Sequence, residues 1–150
     1  MPVPTIRTAG EDDVDAVLRL VRESAASQGA LDRVCVDAAT LRGAMTGPDP
    51  RVHALLADID GRSVGLALYM FTFSTWTSVN GIHLEDLYVE PAARRGGVGR
   101  ALMSALADIA RERGCGRFQW YVLRSNDTAR RFYESLGAAI ETDWAIMSWH

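Results

Sequence analysis

The chain has only two cysteines, Cys35 and Cys115, far apart and outside any CxxC or His/Cys grouping. Both are therefore expected to be reduced, and no metal site is expected. A basic excess is also lacking, because 16 arginine and lysine residues stand against 19 aspartates and glutamates, for a net charge of −3. A protein that reads phosphate backbones carries a basic face, so nucleic acid is not expected as a partner. The slight acidic excess suits a cationic small substrate instead. No apolar run approaches the length that spans a bilayer, so no membrane partner is expected. Glu11, Asp12, Asp13 and Asp15 near the amino end do not fit a secretory signal, and a cytoplasmic location is expected. There is no Gly-Lys-Ser/Thr triplet, which excludes a Walker A loop. With 150 residues, 48% of them hydrophobic, the chain is long enough for one domain, residues 1–150, with a sizeable core.

Present instead is one stretch around which the rest can be placed. Apolar residues alternate as Ile82 and Leu84, then resume out of phase as Leu87 and Val89, with Glu85 and Asp86 adjacent at the break. A strand whose inward face changes parity carries an extra residue, so a bulge is predicted there, leaving backbone groups free to meet something other than a neighbouring strand. Pro91 closes the strand. Arg94-Arg95-Gly96-Gly97-Val98-Gly99-Arg100 follows, and Val98, Ala101, Leu102, Ala105, Leu106, Ile109 and Ala110 then mark one face of a helix that Gly114 stops.

A glycine-rich turn opening a helix aims unpaired N–H groups and the positive end of the helix dipole at whatever lies before it. Arg94, Arg95 and Arg100 add full charges, so the turn is a candidate pyrophosphate site. A tight turn with solvated arginines would use the same residues. A dinucleotide fingerprint would need a third small residue where Leu102 stands, and would be expected on the chain's first strand.

The remaining elements follow from pattern and punctuation. Thr5–Arg7 reads as a short strand. Glu11–Asp13 open a helix with Val14, Val17, Leu18, Val21 and Ala25 on its apolar face, and Ala30–Val36 form an irregular connection. Asp37 caps a short helix to Met45, and residues 52–59 and 62–73 form two strands about an Asp60-Gly61 hairpin turn. Gly65 inside the second of these marks a bulge or a close backbone approach. Residues 74–80 are a loop holding Trp76. A strand over 117–123 is expected with both faces covered, then a helix capped from Ser125–Asp127 and ended by Gly137, then a last strand over 145–149. The order β-α-α-β-β-β-α-β-α-β implies an α/β (α+β) fold, a mixed sheet with helices on both faces.

The turn resembles the acetyl-CoA-binding segment of the GNAT superfamily of N-acetyltransferases, whose pattern Arg/Gln-x-x-Gly-x-Gly/Ala is met by Arg94, Gly97 and Gly99. Tyr69–Trp76, His83–Val89, Asn126–Tyr133 and Leu136–Ala138 are similar to the diamine (spermidine/spermine) and thialysine acetyltransferase branch. The resemblance runs from Ile6 to Trp149 and implies the GNAT fold, acetyl-CoA as co-substrate without a metal, a small-molecule amine as acceptor, and a homodimer. Two departures stand out. Arg95-Gly96 replaces the family's usual glycine followed by a variable residue, and Ser27-Gln28-Gly29 stand where the polyamine enzymes usually carry an acidic or aromatic residue.

The chemistry this implies can be stated residue by residue. An alkyl amine has a pKa of about 10 and is protonated at neutral pH, so a base must remove a proton before attack on a thioester. Glu85 matches the residue credited with that step, directly or through water, and His83 on the same nominal face could relay the proton or orient a water. Both acids also read as ordinary surface strand residues. Backbone groups of Leu87, Tyr88 and Val89 would bond the pantetheine amides as an added strand does. Arg94 to Arg100, including Gly96, Gly97, Val98 and Gly99, would hold the pyrophosphate. Tyr133, at the position of the GNAT tyrosine near the CoA sulfur, would protonate the leaving thiolate, though an aromatic at helical spacing also reads as core. Asn126 would bond the cofactor, and Arg130 either meets a phosphate or is solvated. Trp76, Glu85, His83 and Asp86 would line the amine's site, with Trp76 as an apolar wall. The rival readings are an acetyltransferase for a protein amino terminus, an amino acid or an antibiotic, and a non-catalytic acyl-CoA-binding module.

Overall fold

The computed structural model describes residues 2–150. It contains five strands and four α-helices in the order β1 (Thr5–Thr8), α1 (Val14–Ser27), α2 (Ala38–Met45), β2 (His53–Ile59), β3 (Arg62–Ser74), β4 (Val79–Val89), α3 (Val98–Glu112), β5 (Arg117–Trp120) and α4 (Asp127–Ser135), with short 3-10 turns at Glu11–Asp13, Leu31–Arg33 and Pro91–Ala93. The chain divides into two compact units, one ending at Trp120 and the other running from Tyr121 to His150.

In the first unit the five strands form one sheet in sequence order. β1 to β4 pair antiparallel and β5 joins β4 in parallel, which makes the sheet mixed. Local chemistry explains the joints. Asp60 and Gly61 have φ of +51° and +76°, the two left-handed residues of a type I′ turn, whose twist matches that of the β2–β3 hairpin. Asp37 accepts from the Thr40 N–H at 2.7 Å and starts α2. Gly114, at φ +64°, ends α3, with the Cys115 N–H reaching back to the Ala110 carbonyl at 2.8 Å.

Helices cover both faces. On one, Val14, Val17, Leu18 and Leu20 of α1 and Leu41 of α2 pack on Leu56, Leu66, Leu68 and Tyr88. On the other, Val98, Leu102 and Leu106 of α3 are almost wholly buried. A Cβ added at Gly65 would lie 2.9 Å from Val98 Cγ1 and 3.2 Å from Leu102 Cδ1, so the missing side chain is what lets α3 settle onto β3. The adjoining Val64 is the extra residue in the β2–β3 register, so both readings of Gly65 hold.

In the second unit α4 is capped by Asn126, whose side chain accepts from the Ala129 N–H at 3.1 Å, and Gly137 at φ +94° ends it. Two expectations fail. The strand predicted over 117–123 stops at Trp120, and the last strand over 145–149 does not form. A strand exists by pairing. β5 pairs with β4 only as far as Leu84↔Trp120, the residue before the β4 bulge, and 145–149 have no strand partner among the described residues. Tyr121 and Leu123, expected under cover, are 71% and 67% exposed. Among the described residues no helix is long and apolar enough to cross a membrane.

Candidate active site

The phase slip in β4 is a bulge in the backbone. Asp86 pairs with Leu68 and Leu84 with Tyr69, which leaves Glu85 without an opposite number on β3. Residues directly opposite in antiparallel strands share a face. His83, opposite Met70, and Asp86, opposite Leu68, therefore lie on the face that carries α1, with Glu85 between them at the bulge. His83 Nε2 is 3.4 Å from Glu85 Oε2, and the histidine side chain is 19% exposed against 52% for the glutamate. The pair brings an acid and an imidazole together at one break in the sheet. The Asp86 carboxyl is pushed above the usual carboxylate range by burial and, secondly, by the charge on Glu85.

Beyond the bulge one edge of β4 is open. The Glu90 N–H donates to the Val64 carbonyl on β3 at 2.8 Å, so alternation turns the backbone groups of Leu87 and Val89 to the opposite edge and those of Tyr88 towards β3. Of the three residues expected to offer backbone groups, Tyr88 spends its own in the ladder. No strand covers the outward edge beyond Leu84 among the described residues, since β5 ends at Trp120. Arg94 uses part of it. Its Nε donates to the Val89 carbonyl at 2.9 Å, and its guanidinium lies 5.7 Å from the Tyr88 ring centroid.

The open edge leads into the turn. Gly97, at φ +79°, is the N-cap of α3, and no side chain caps this end, so the first-turn N–H groups of Val98, Gly99 and Arg100 remain available to an anion. Arg95 has φ +67°, a left-handed position for a bulky residue, at the place where the resemblance has glycine.

Arg19 and Glu90 were not legible as part of this region. Arg19 donates to Glu90 at 2.5 Å, to Glu23 at 3.0 Å and to the Ser63 carbonyl at 2.7 Å, while Glu90 also accepts from Arg62 at 2.8 Å. This network ties α1 and β3 to the residue just before Pro91, where the turn begins. Nothing in local spacing could link residues 71 positions apart.

Trp76 is not near Glu85. β3 and β4 pair as far as Ser74↔Val79, which puts Trp76 in the hairpin tip, 90% exposed. Glu85 lies six residues along β4 from Val79, on the order of 20 Å away. The expectation that Trp76 walls the amine's site therefore fails, because the β3–β4 pairing continues to Ser74↔Val79 and carries the loop away from the bulge.

In the second unit Tyr133 sits on α4 with its ring centroid 5.3 Å from that of Phe132, and burial holds its hydroxyl above the ordinary tyrosine range. Asn126 Oδ1 is occupied by the helix cap. Arg130 pairs with Asp127, while its buried Nε has no hydrogen-bond partner and retains donor capacity.

Residues 17–138 match the model of the Acetyltransferase (GNAT) family. The chain belongs to this family. It is 37% identical over 153 aligned residues, 97% of its own length and 88% of the relative's, to the thialysine N-epsilon-acetyltransferase of Sus scrofa. It is 32% identical to the human spermidine/spermine N(1)-acetyltransferase-like protein 1, across 89% of this chain and 20% of that protein. Among solved structures, an aminoglycoside acetyltransferase from an uncultured soil metagenomic sample is similar in fold, with a TM-score of 0.86, 18% identity, and 99% and 96% of the two chains covered. This GNAT chain is thus an N-acetyltransferase related to the diamine and thialysine branch, as its motifs implied. Acetyl-CoA is the co-substrate that GNAT acetyltransferases use.

Proposed function

We propose that this enzyme transfers the acetyl group of acetyl-CoA to a primary amine of a small molecule, a diamine, a polyamine or a lysine-like compound such as thialysine, by direct attack in a ternary complex. The observation that carries the reading is the bulge at Glu85, which sets a carboxylate 3.4 Å from His83 beside an open strand edge that runs into an uncapped, arginine-flanked helix start. Glu85 takes the proton of the incoming ammonium, directly or through a water that His83 orients. Asp86, on the same face, offers the cationic substrate a second negative group. Leu87 and Val89 present backbone groups to the pantetheine arm, and Gly96 to Arg100, with Arg94 and Arg95, hold the pyrophosphate.

Tyr133 supplies the proton to the departing CoA thiolate. A tyrosine hydroxyl is protonated at neutral pH, as that role needs, and burial moves its pKa further in the same direction. Arg130, with an unused donor, serves a phosphate, and Asn126 contributes through its amide group. The family match across 17–138 spans both compact units, which supports one functional domain over 1–150. We take it to act in the cytoplasm, in keeping with its two free cysteines, and as a homodimer, as resemblance to the branch implies.

An assay of CoA release across a panel of diamines, polyamines, thialysine, amino acids and aminoglycosides tests the acceptor. Turnover is expected with an alkyl diamine or thialysine, and activity confined to peptides or antibiotics would overturn that choice. Glu85→Gln and Tyr133→Phe should each lower kcat by roughly 10²–10⁴-fold with acetyl-CoA affinity retained. Unchanged turnover in both variants would remove the assigned roles.

A further inference from the structure

A cavity of about 600 Å³ lies at the opposite end of the first unit from the pyrophosphate turn, lined by Asp49, Arg51, His53, Met70, Phe71 and Arg113. Arg113 is the C-cap of α3 and the turn is at its N-terminus, so a helix of 15 residues, roughly 22 Å, separates the two places. β2 begins at His53, opposite Tyr69. β3 continues beyond that point with no strand on its β2 side among the described residues, so Met70 and Phe71 stand at an open edge.

The lining has two chemical halves. One is flat and apolar. The His53 ring stacks on Tyr69 at 5.4 Å and meets the edge of Phe71 at 5.1 Å, and Met70 adds thioether surface. The other half is cationic. The Arg113 guanidinium lies 4.9 Å from the Phe71 ring centroid. Neither Arg113 nor Arg51 has a carboxylate within 4.0 Å among the described residues, although Asp49 stands on the same rim. Guanidinium groups keep their charge at any physiological pH. The groups facing His53 are Tyr69 from β3, Arg113 from the end of α3, and Arg51 and Asp49 from the loop before β2. Burial and then Arg113 hold the imidazole below its ordinary pKa, so it is neutral at neutral pH and the rim keeps one positive charge in excess.

We infer that this cavity binds a small organic anion, a carboxylate or phosphate carried on a flat apolar body, with the anionic group between Arg51 and Arg113 and the flat part against Phe71 and His53. The site is independent of acetyl transfer and of the roles given to Glu85 and Tyr133. Charge and apolar wall act together there, so neither half of the ligand alone satisfies the lining.

His53 is a built-in reporter. Its ring signals, assigned by difference from His53→Gln, are followed by NMR while phenyl phosphate is added, with inorganic phosphate and phenol as single-feature controls. Phenyl phosphate is expected to move the His53 signals saturably and to raise the His53 titration midpoint, because a bound anion favours the imidazolium. Each control should need at least about tenfold higher concentration for the same shift. Arg113→Gln and Arg51→Gln should each weaken the response about tenfold or more, and Arg113→Lys should restore most of it, which separates lost charge from lost folding. Acetyl transfer should be unchanged in all three variants. No saturable shift, an equal shift with phenol alone, or an undiminished response in both glutamine variants would overturn the site.

Discussion

Asp86 shows how a single buried carboxyl links stability to the proposed chemistry. Burial, and the Glu85 charge beside it, raise its pKa above the ordinary value, so the folded protein disfavours the ionised form that dominates at neutral pH. The unfolded chain has no such penalty. Below the ordinary carboxylate range both states hold the proton and Asp86 costs nothing. As pH rises through the folded-state value, stability is lost. Asp86→Asn should therefore stabilise the protein at pH 7 by about 0.5–2 kcal/mol, and the gain should vanish as pH falls to about 4. Urea unfolding at several pH values measures this. The same variant should bind a cationic amine less well, because an amide offers it no charge. A gain in stability with a loss of substrate affinity is the signature of a charge kept for function. If Asp86→Asn instead destabilises at pH 7, the carboxylate has a structural partner and the proposed role fails.

At the scale of elements, what could be read from the sequence was whatever local pattern decides. The parity change between Leu84 and Leu87 located the bulge, Asp60-Gly61 located a hairpin turn, and Gly114 and Gly137 located two helix ends, each observed where expected. What could not be read depends on a partner distant in sequence. Residues 121–123 lie outside β5 and residues 145–149 have no strand partner among the described residues, and the position of Trp76 relative to Glu85 was not legible because the pattern does not say how far a hairpin tip stands from the bulge. The Arg19–Glu90 contact has the same origin. It joins α1 to the end of β4 and, through Arg62 and Ser63, to the start of β3. Glu90 is only 14% exposed, so removing its nearer cation leaves a half-buried carboxylate held by Arg62 alone. Arg19→Met should cost about 1–3 kcal/mol in urea unfolding. Because Arg19 anchors Glu90, the residue before Pro91, the variant should also raise the KM for acetyl-CoA more than it lowers kcat. A fall in kcat with KM unchanged would show that the network does not position the turn.

For the molecule as a whole, the composition carries a consequence for its own chemistry. All 16 positively charged residues are arginine, and the chain contains no lysine. A guanidinium keeps its proton far above neutral pH and is a poor nucleophile, whereas a lysine amine with a pKa of about 10 is the same kind of acceptor that the enzyme is proposed to use. An acetyltransferase that works on free alkyl amines at its bulged strand would meet lysines of its own chain as competing acceptors, at high effective concentration whenever one could reach the site. Among these 150 residues no side chain can play that part, and the α-amino group of this 150-residue chain is the one acceptor amine it offers when prepared by itself. Incubation with acetyl-CoA and no acceptor should therefore add at most one acetyl group to the intact mass, confined to the amino-terminal peptide, and CoA release beyond that should measure hydrolysis alone. Introducing a lysine at exposed Trp76, on the hairpin tip away from Glu85, should leave this result unchanged. Acetylation of that new lysine at a rate comparable to the small amines would mean that the hairpin tip reaches a Glu85 centre, in the same chain or in a second copy, and that the acceptor site is open to protein surfaces and not shaped for small molecules.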